Sequence, residues 1–143
     1  MSKKIQIFKK QQRYNRKYLE VAKCWSSLSH AKNKKVGCIM VKNGSIISDG
    51  YNGTPTGFDN ACEDHTGHTK WYVMHAEANA ILKLSKNNNS SIGSTLYTTL
   101  SPCRECAKLI LQADVKKVYY TEKYKDTVGI EFLENSGIQC INL

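Results

Sequence analysis

Long apolar runs are missing from this 143-residue chain, and no stretch comes near the roughly 20 residues that a bilayer span needs. Behind Lys3 and Lys4 there is no apolar segment of the kind a secretion signal carries. A soluble, cytoplasmic protein is therefore expected, with no membrane partner. Low-complexity tracts and internal repeats are also absent, which argues against a repeat array or a long linker. Acidic residues are few: 12 Asp and Glu against 21 Lys and Arg leave a formal net charge of +9. With no export signal, the six cysteines point to metal or thiol chemistry rather than to a disulfide framework.

What is present fits one catalytic or binding domain over residues 1–143, since 41% hydrophobic content is enough for a single core. The positive charge gathers in Lys3, Lys4, Lys9, Lys10, Arg13, Arg16 and Lys17, then in Lys32, Lys34 and Lys35. Such surfaces attract phosphate, although a solvated lysine-rich face accounts equally well for the first group. Tyr14, Tyr18, Val21, Ala22, Trp25 and Leu28 recur at helical spacing and predict a first helix. Val36 to Val41 and Ile46 to Ser48 flank Lys42-Asn43-Gly44-Ser45, a hairpin signal. Gly50 to Gly57 is too rich in Gly and Pro to continue the second strand and reads as a structured loop. A helix is expected from about His75 to the Asn87–Asn89 stretch, and a strand at Thr95 to Thr99. Ser101-Pro102 reads as the start of another helix, with Ser101 as its cap. Val115 to Thr121, a short helix around Ile130 to Leu133, and Ile138 to Leu143 complete the order. Alternating helices and strands predict an α/β fold: three α/β/α layers around a mixed five-stranded sheet.

The chemistry concentrates in four residues. Catalytic zinc commonly takes three nitrogen or sulfur ligands and leaves a fourth position open. Cys103 and Cys106, three apart at a helix start, can face one ion, and the helix N-terminus is expected to lower their thiol pKa values. His75 opens the other helix, and helix starts lie together at strand ends in α/β folds. Glu77 falls near the metal without having to bind it and is placed to move protons, although a carboxylate in a first helical turn is also a common stabilising feature. Taken alone, Cys-x-x-Cys could equally be a redox pair or half of a structural zinc site.

His75-Ala76-Glu77 followed by Pro102-Cys103-Arg104-Glu105-Cys106 resembles the signature of zinc nucleobase deaminases. Lys35 to Cys38, Gly50 to Pro55, His75 to Ile81 and Leu96 to Lys108 resemble, more narrowly, the deoxycytidylate (dCMP) deaminases, over about Leu19 to Gly137. The resemblance implies one catalytic Zn²⁺ on His75, Cys103 and Cys106, and hydrolysis of dCMP to dUMP and ammonia with Glu77 shuttling the proton. It also implies that Asn52 holds sugar and base, and that the Ala76 amide and Ser101 carbonyl read the pyrimidine edge. Asn52 serving only as a turn residue is the alternative. Ser29 and Lys34 fall in the family's phosphate-binding segment. Lys34 stands where many relatives carry arginine, and an ammonium cannot make the same bidentate contact. Tyr124 matches an aromatic of the family's pocket, with a packed core tyrosine as the alternative.

The same resemblance implies a homo-hexamer, activated by dCTP, with Mg²⁺ on the nucleotide, and inhibited by dTTP. The effector site would include Gly50, Tyr51, Asn52 and Gly53. Its proposed physical basis is that glycine lets the backbone approach a triphosphate. Some relatives hold a second zinc. Here Ala31 and Ala61 occupy two of those ligand places, and Cys62, His65 and His68 lack a clear fourth ligand, so the polar-loop reading is favoured. The rival readings are a tRNA or polynucleotide deaminase, a deaminase of free cytidine, and a non-catalytic nucleotide sensor. The Gly50 to Gly53 loop disfavours nucleic acid as partner, and Glu77 disfavours the sensor.

Overall fold

Asn43 and Gly44 take φ of 51° and 75°, the left-handed backbone that a two-residue hairpin turn demands and that Asn and Gly tolerate. In the computed structural model, which describes Met1–Leu143, this turn joins β1 (Gly37–Lys42) to β2 (Ser45–Tyr51). β1 also pairs antiparallel with β3 (Thr95–Leu100). β4 (Lys117–Glu122) and β5 (Gln139–Asn142) continue the sheet in parallel, in the order β2-β1-β3-β4-β5. The parallel pairs need crossovers, supplied by α3 (Arg104–Gln112) and α4 (Val128–Asn135).

Alternation along β1 builds the layers, because successive strand side chains point to opposite faces. Cys38 and Met40 join Ala76, Ala80, Leu84, Ala107, Ile110 and Leu133 in one core cluster. Ile39 and Val41 join Leu19, Ala22, Tyr97 and Tyr119 in the other. The first cluster lies under α2 (Ala76–Lys83), α3 and α4, and the second under α1 (Lys3–Ser26). The expected mixed five-stranded α/β/α sandwich is the observed one.

Three local expectations are corrected. α1 starts at Lys3, three turns before Tyr14, with the Ser2 hydroxyl accepting the Ile5 amide at 3.3 Å. Its buried residues are Asn15, Leu19, Ala22 and Ser26, while Tyr14 and Leu28 are exposed. Second, β2 runs on through Gly50 and Tyr51. Gly50 is used for packing there: a Cβ on it would lie 2.3 Å from the Ala76 carbonyl oxygen and 2.7 Å from the Ala80 nitrogen. Only glycine lets α2 sit this close to the strand. Third, α3 begins at Arg104 rather than at Ser101-Pro102. Its cap is Cys103, whose Sγ accepts the Cys106 amide at 3.5 Å.

Candidate active site

His75 caps α2 and Cys103 caps α3, so the fold delivers two helix N-termini to one place. His75 Nδ1 lies 3.4 Å from Cys103 Sγ and 3.3 Å from Cys106 Sγ. All three donor atoms fall within 4.8 Å of one another, and no other group of His, Cys, Asp or Glu converges in this way. Tetrahedral zinc with ordinary Zn–N and Zn–S bonds separates such donors by about 3.5 Å, so the set fits that ion. Hydrogen bonding from Cys106 pushes the Cys103 thiol down to about 4 against the cost of burial, with His75 and the Cys106 amide adding to the effect. The Cys106 thiol is raised, because it shares its proton with Cys103 and is buried beside Glu77. A metal held here would take both sulfurs as thiolates, since ligand cysteines give up their protons on binding. Cys62, His65 and His68 are not brought together with a fourth ligand. His68 Nδ1 bonds the Thr66 hydroxyl at 2.8 Å, and Cys62 is buried with its thiol directed at the Asn60 carbonyl.

Glu77 is 4% exposed, and burial raises its carboxyl pKa, opposed by the Cys106 thiol and by His75. Thr98, fully buried on β3, donates its hydroxyl toward Glu77 Oε1 at 3.2 Å and toward the Leu100 carbonyl at 2.9 Å. Nothing in the sequence marked Thr98, since it is one of two adjacent threonines in a strand. A buried carboxyl group whose pKa is raised and which lies beside the three donors is placed for proton transfer.

In front of Glu77 lies a cavity of about 220 Å³ lined by His75, Ala76, Glu77, Ser101 and Cys103, with Asn52, Lys34 and Tyr124 toward its mouth. The Ala76 amide, at the first position of α2, and the Ser101 carbonyl take no part in the protein's own hydrogen bonds. A donor and an acceptor thus flank the site. Ser101 itself is buried, with its amide on the Glu122 carbonyl and its hydroxyl accepting the Tyr124 amide at 2.7 Å. Tyr124, left open between pocket and core, is a partly exposed wall of the cavity.

Asn52 is more than a turn residue. Its Oδ1 accepts the Val36 amide and its Nδ2 donates to the Lys34 carbonyl, both at 2.8 Å, which ties the end of β2 to the segment before β1. Ser29 does not line the cavity. It is buried behind the wall, donating to the Asn52 carbonyl at 2.7 Å and accepting the Ala31 amide at 3.2 Å. Its one proton is given to that carbonyl. Lys34 reaches the cavity mouth as an ion pair with Glu122. Sequence reasoning missed the opposite wall: Cys62, Glu63, Thr69 and Val73 come from the long loop before α2. Glu63 fastens that loop by accepting the Lys32 and Asn33 amides at 2.9 and 3.0 Å. No motif announced it.

Of the expected effector residues, Tyr51 is exposed and Gly53 partly so. Gly50 is buried under α2, where its missing side chain serves that contact.

Comparison with known proteins agrees with this geometry. The deoxycytidylate deaminase of Enterobacteria phage T4 is 34% identical over 168 aligned positions, covering 87% of each chain. The deoxycytidylate deaminase of Homo sapiens is 38% identical over 119, covering 77% of this chain and 66% of the human one. Among solved structures, the dCMP deaminase of cyanophage S-TIM5 in complex with dCMP and dUMP superposes with a TM-score of 0.88 at 43% identity. That match covers 100% of this chain and 99% of the other. The family model describing the cytidine and deoxycytidylate deaminase zinc-binding region matches residues 9–122, and on this match and these identities the chain belongs to the zinc-dependent cytidine and deoxycytidylate deaminases.

Proposed function

We propose that the chain hydrolyses dCMP to dUMP and ammonia, with His75, Cys103 and Cys106 holding one zinc ion and Glu77 as the proton carrier. The observation that carries this reading is the buried Glu77 carboxyl beside the three converging donors, facing a cavity with a cation at its mouth. The likeness to a deaminase solved with dCMP and dUMP supports the choice of base and phosphate.

When bound, zinc supplies a Lewis acid that makes water nucleophilic near neutral pH. The remaining work belongs to the chain. The Ala76 amide and the Ser101 carbonyl hold the pyrimidine edge so that C4 faces Glu77, and a ring presenting the wrong edge would leave both groups unpaired. Glu77 accepts a proton from the attacking water, passes it to N3, then carries the second to the departing amine. Thr98 steadies the carboxylate in its ionised form. Lys34 meets the 5′-phosphate by exchanging Glu122 for it, and Tyr124 closes the side of the pocket. Asn52 keeps one amide proton for the sugar while it braces the wall.

Regulation extends the proposal. dCTP with Mg²⁺ activates and dTTP inhibits a homo-hexamer, with Gly50, Tyr51, Asn52 and Gly53 forming the effector loop and Tyr51 its exposed member. No helix is long and apolar enough to cross a membrane. The test follows the ultraviolet absorbance of dCMP with the zinc-loaded protein, with and without dCTP and Mg²⁺ at fixed salt. Conversion that dCTP stimulates supports both activity and regulation. Conversion indifferent to dCTP defeats the regulation alone, and no conversion defeats the substrate.

A further inference from the structure

The stripe of α1 that packs on the sheet does not end where the sheet ends. Its buried residues Asn15, Leu19, Ala22 and Ser26 stand three or four apart. The same spacing carried upstream passes through Gln12, Phe8 and Ile5, one above another on a single helix face. From Lys3 to Gln11 every residue is exposed, with Ile5 at 49%, Ile7 at 58% and Phe8 at 63%. Lys3 to Tyr14 therefore forms an arm about 18 Å long at helical rise. Its charges are Lys3, Lys4, Lys9, Lys10 and Arg13, with no carboxylate before Glu20. None of these five cations is in an ion pair.

α4 offers the complement. Val128 and Phe132, one turn apart, are 41% and 39% exposed, and Leu109 of the neighbouring α3 is 43% exposed. The charges of α4 are Glu131 and Glu134, with no cation, and neither carboxylate is in an ion pair. It is the one helix whose charges are all acidic, and every charge of the arm is basic.

We propose that the arm of one copy docks on α4 of a second copy, with Ile5 and Phe8 against Val128 and Phe132 and the arm's lysines against Glu131 and Glu134. A second copy is favoured because both halves of the complementarity are on this chain. The two surfaces differ, so the contact is head-to-tail, a kind that makes a ring when its rotation closes and a filament when it does not. This deepens the hexamer reading and is independent of the substrate. A monomer in solution defeats both assembly readings, whereas an assembly lacking this contact defeats this one alone.

The test places the photo-crosslinker p-benzoylphenylalanine at Phe8 in the full chain and maps crosslinked peptides by mass spectrometry. The expected product is an intermolecular crosslink to the Val128–Asn135 peptide. Lys9→Glu with Lys10→Glu should cut its yield about tenfold, a change equivalent to about 1.4 kcal/mol. Adding Glu131→Lys and Glu134→Lys to the same chain should restore it, with circular dichroism confirming that each variant is folded. Crosslinks only elsewhere, or a yield indifferent to the reversals, would overturn the proposal. So would a missing crosslink together with sedimentation of the protein on anionic phospholipid vesicles, which would make a membrane surface the occupant.

Discussion

Glu77 and Lys34 divide the proposed chemistry from the proposed recognition, and each can be removed without the other. Glu77→Gln keeps the shape and one hydrogen-bond acceptor for Thr98 but cannot cycle a proton. We expect zinc content to be unchanged and kcat to fall about 10²- to 10⁴-fold, the range for a lost general acid–base. Metal analysis beside steady-state kinetics checks this, and near-normal turnover would remove Glu77 from the mechanism. Lys34 is half exposed and paired with Glu122, so its strength toward phosphate is that of a partly screened charge. For Lys34→Ala we expect a KM for dCMP raised about tenfold, or about 1.4 kcal/mol, with kcat/KM for deoxycytidine unchanged. An equal loss on both substrates would mean that Lys34 shapes the wall instead of reading the phosphate.

At the scale of elements, the close contact of β2 with α2 governs the aim of His75. Gly50→Ala would drive a methyl group into the backbone at Ala76 and Ala80. We expect a loss of about 1–3 kcal/mol from overpacking, read as a lower denaturant midpoint at unchanged slope. Zinc affinity should weaken too, since the first turn of α2 carries both His75 and Glu77. A variant that melts normally and binds zinc normally would show that α2 is free to shift.

The same contact explains what was legible in the sequence. Asn43-Gly44 announced its hairpin because the turn's backbone needs are local. His75, Glu77, Cys103 and Cys106 announced the metal centre because ligand types and helix-start spacing are local too. Gly50 misled, since a glycine for a turn and a glycine for helix packing look alike until α2 lies across the strand. The bond from Ser29 to the Asn52 carbonyl was hidden in the same way, since it joins segments 23 positions apart. Thr98 and Glu63 were silent because their partners are set by the sheet register and by a long loop, which carry no periodic pattern. The first three turns of α1 escaped because Ile5, Ile7 and Phe8 among lysines and glutamines are too few to mark a helix by themselves, although Ile5 and Phe8 continue its stripe.

For the whole molecule, the question is whether the metal centre holds the fold or only uses it. α2 and α3 are already packed through Ala76, Ala80, Ala107 and Ile110 in the core beneath them, so the two helices do not depend on the ion to stay together. Removal of zinc by a chelator should therefore abolish turnover while leaving far-ultraviolet circular dichroism at 25 °C nearly unchanged. Stability should still fall, because an ion that binds only the native state adds about 4 kcal/mol when present at a thousandfold its Kd. The Tm of the apoprotein should drop accordingly and return with activity on adding Zn²⁺. Since one donor group converges in the chain, metal analysis of the restored protein should find one zinc per chain. Unfolding on chelation, or a second zinc retained through Cys62 and its neighbouring histidines, would mean that a metal holds the long loop and the wall it forms.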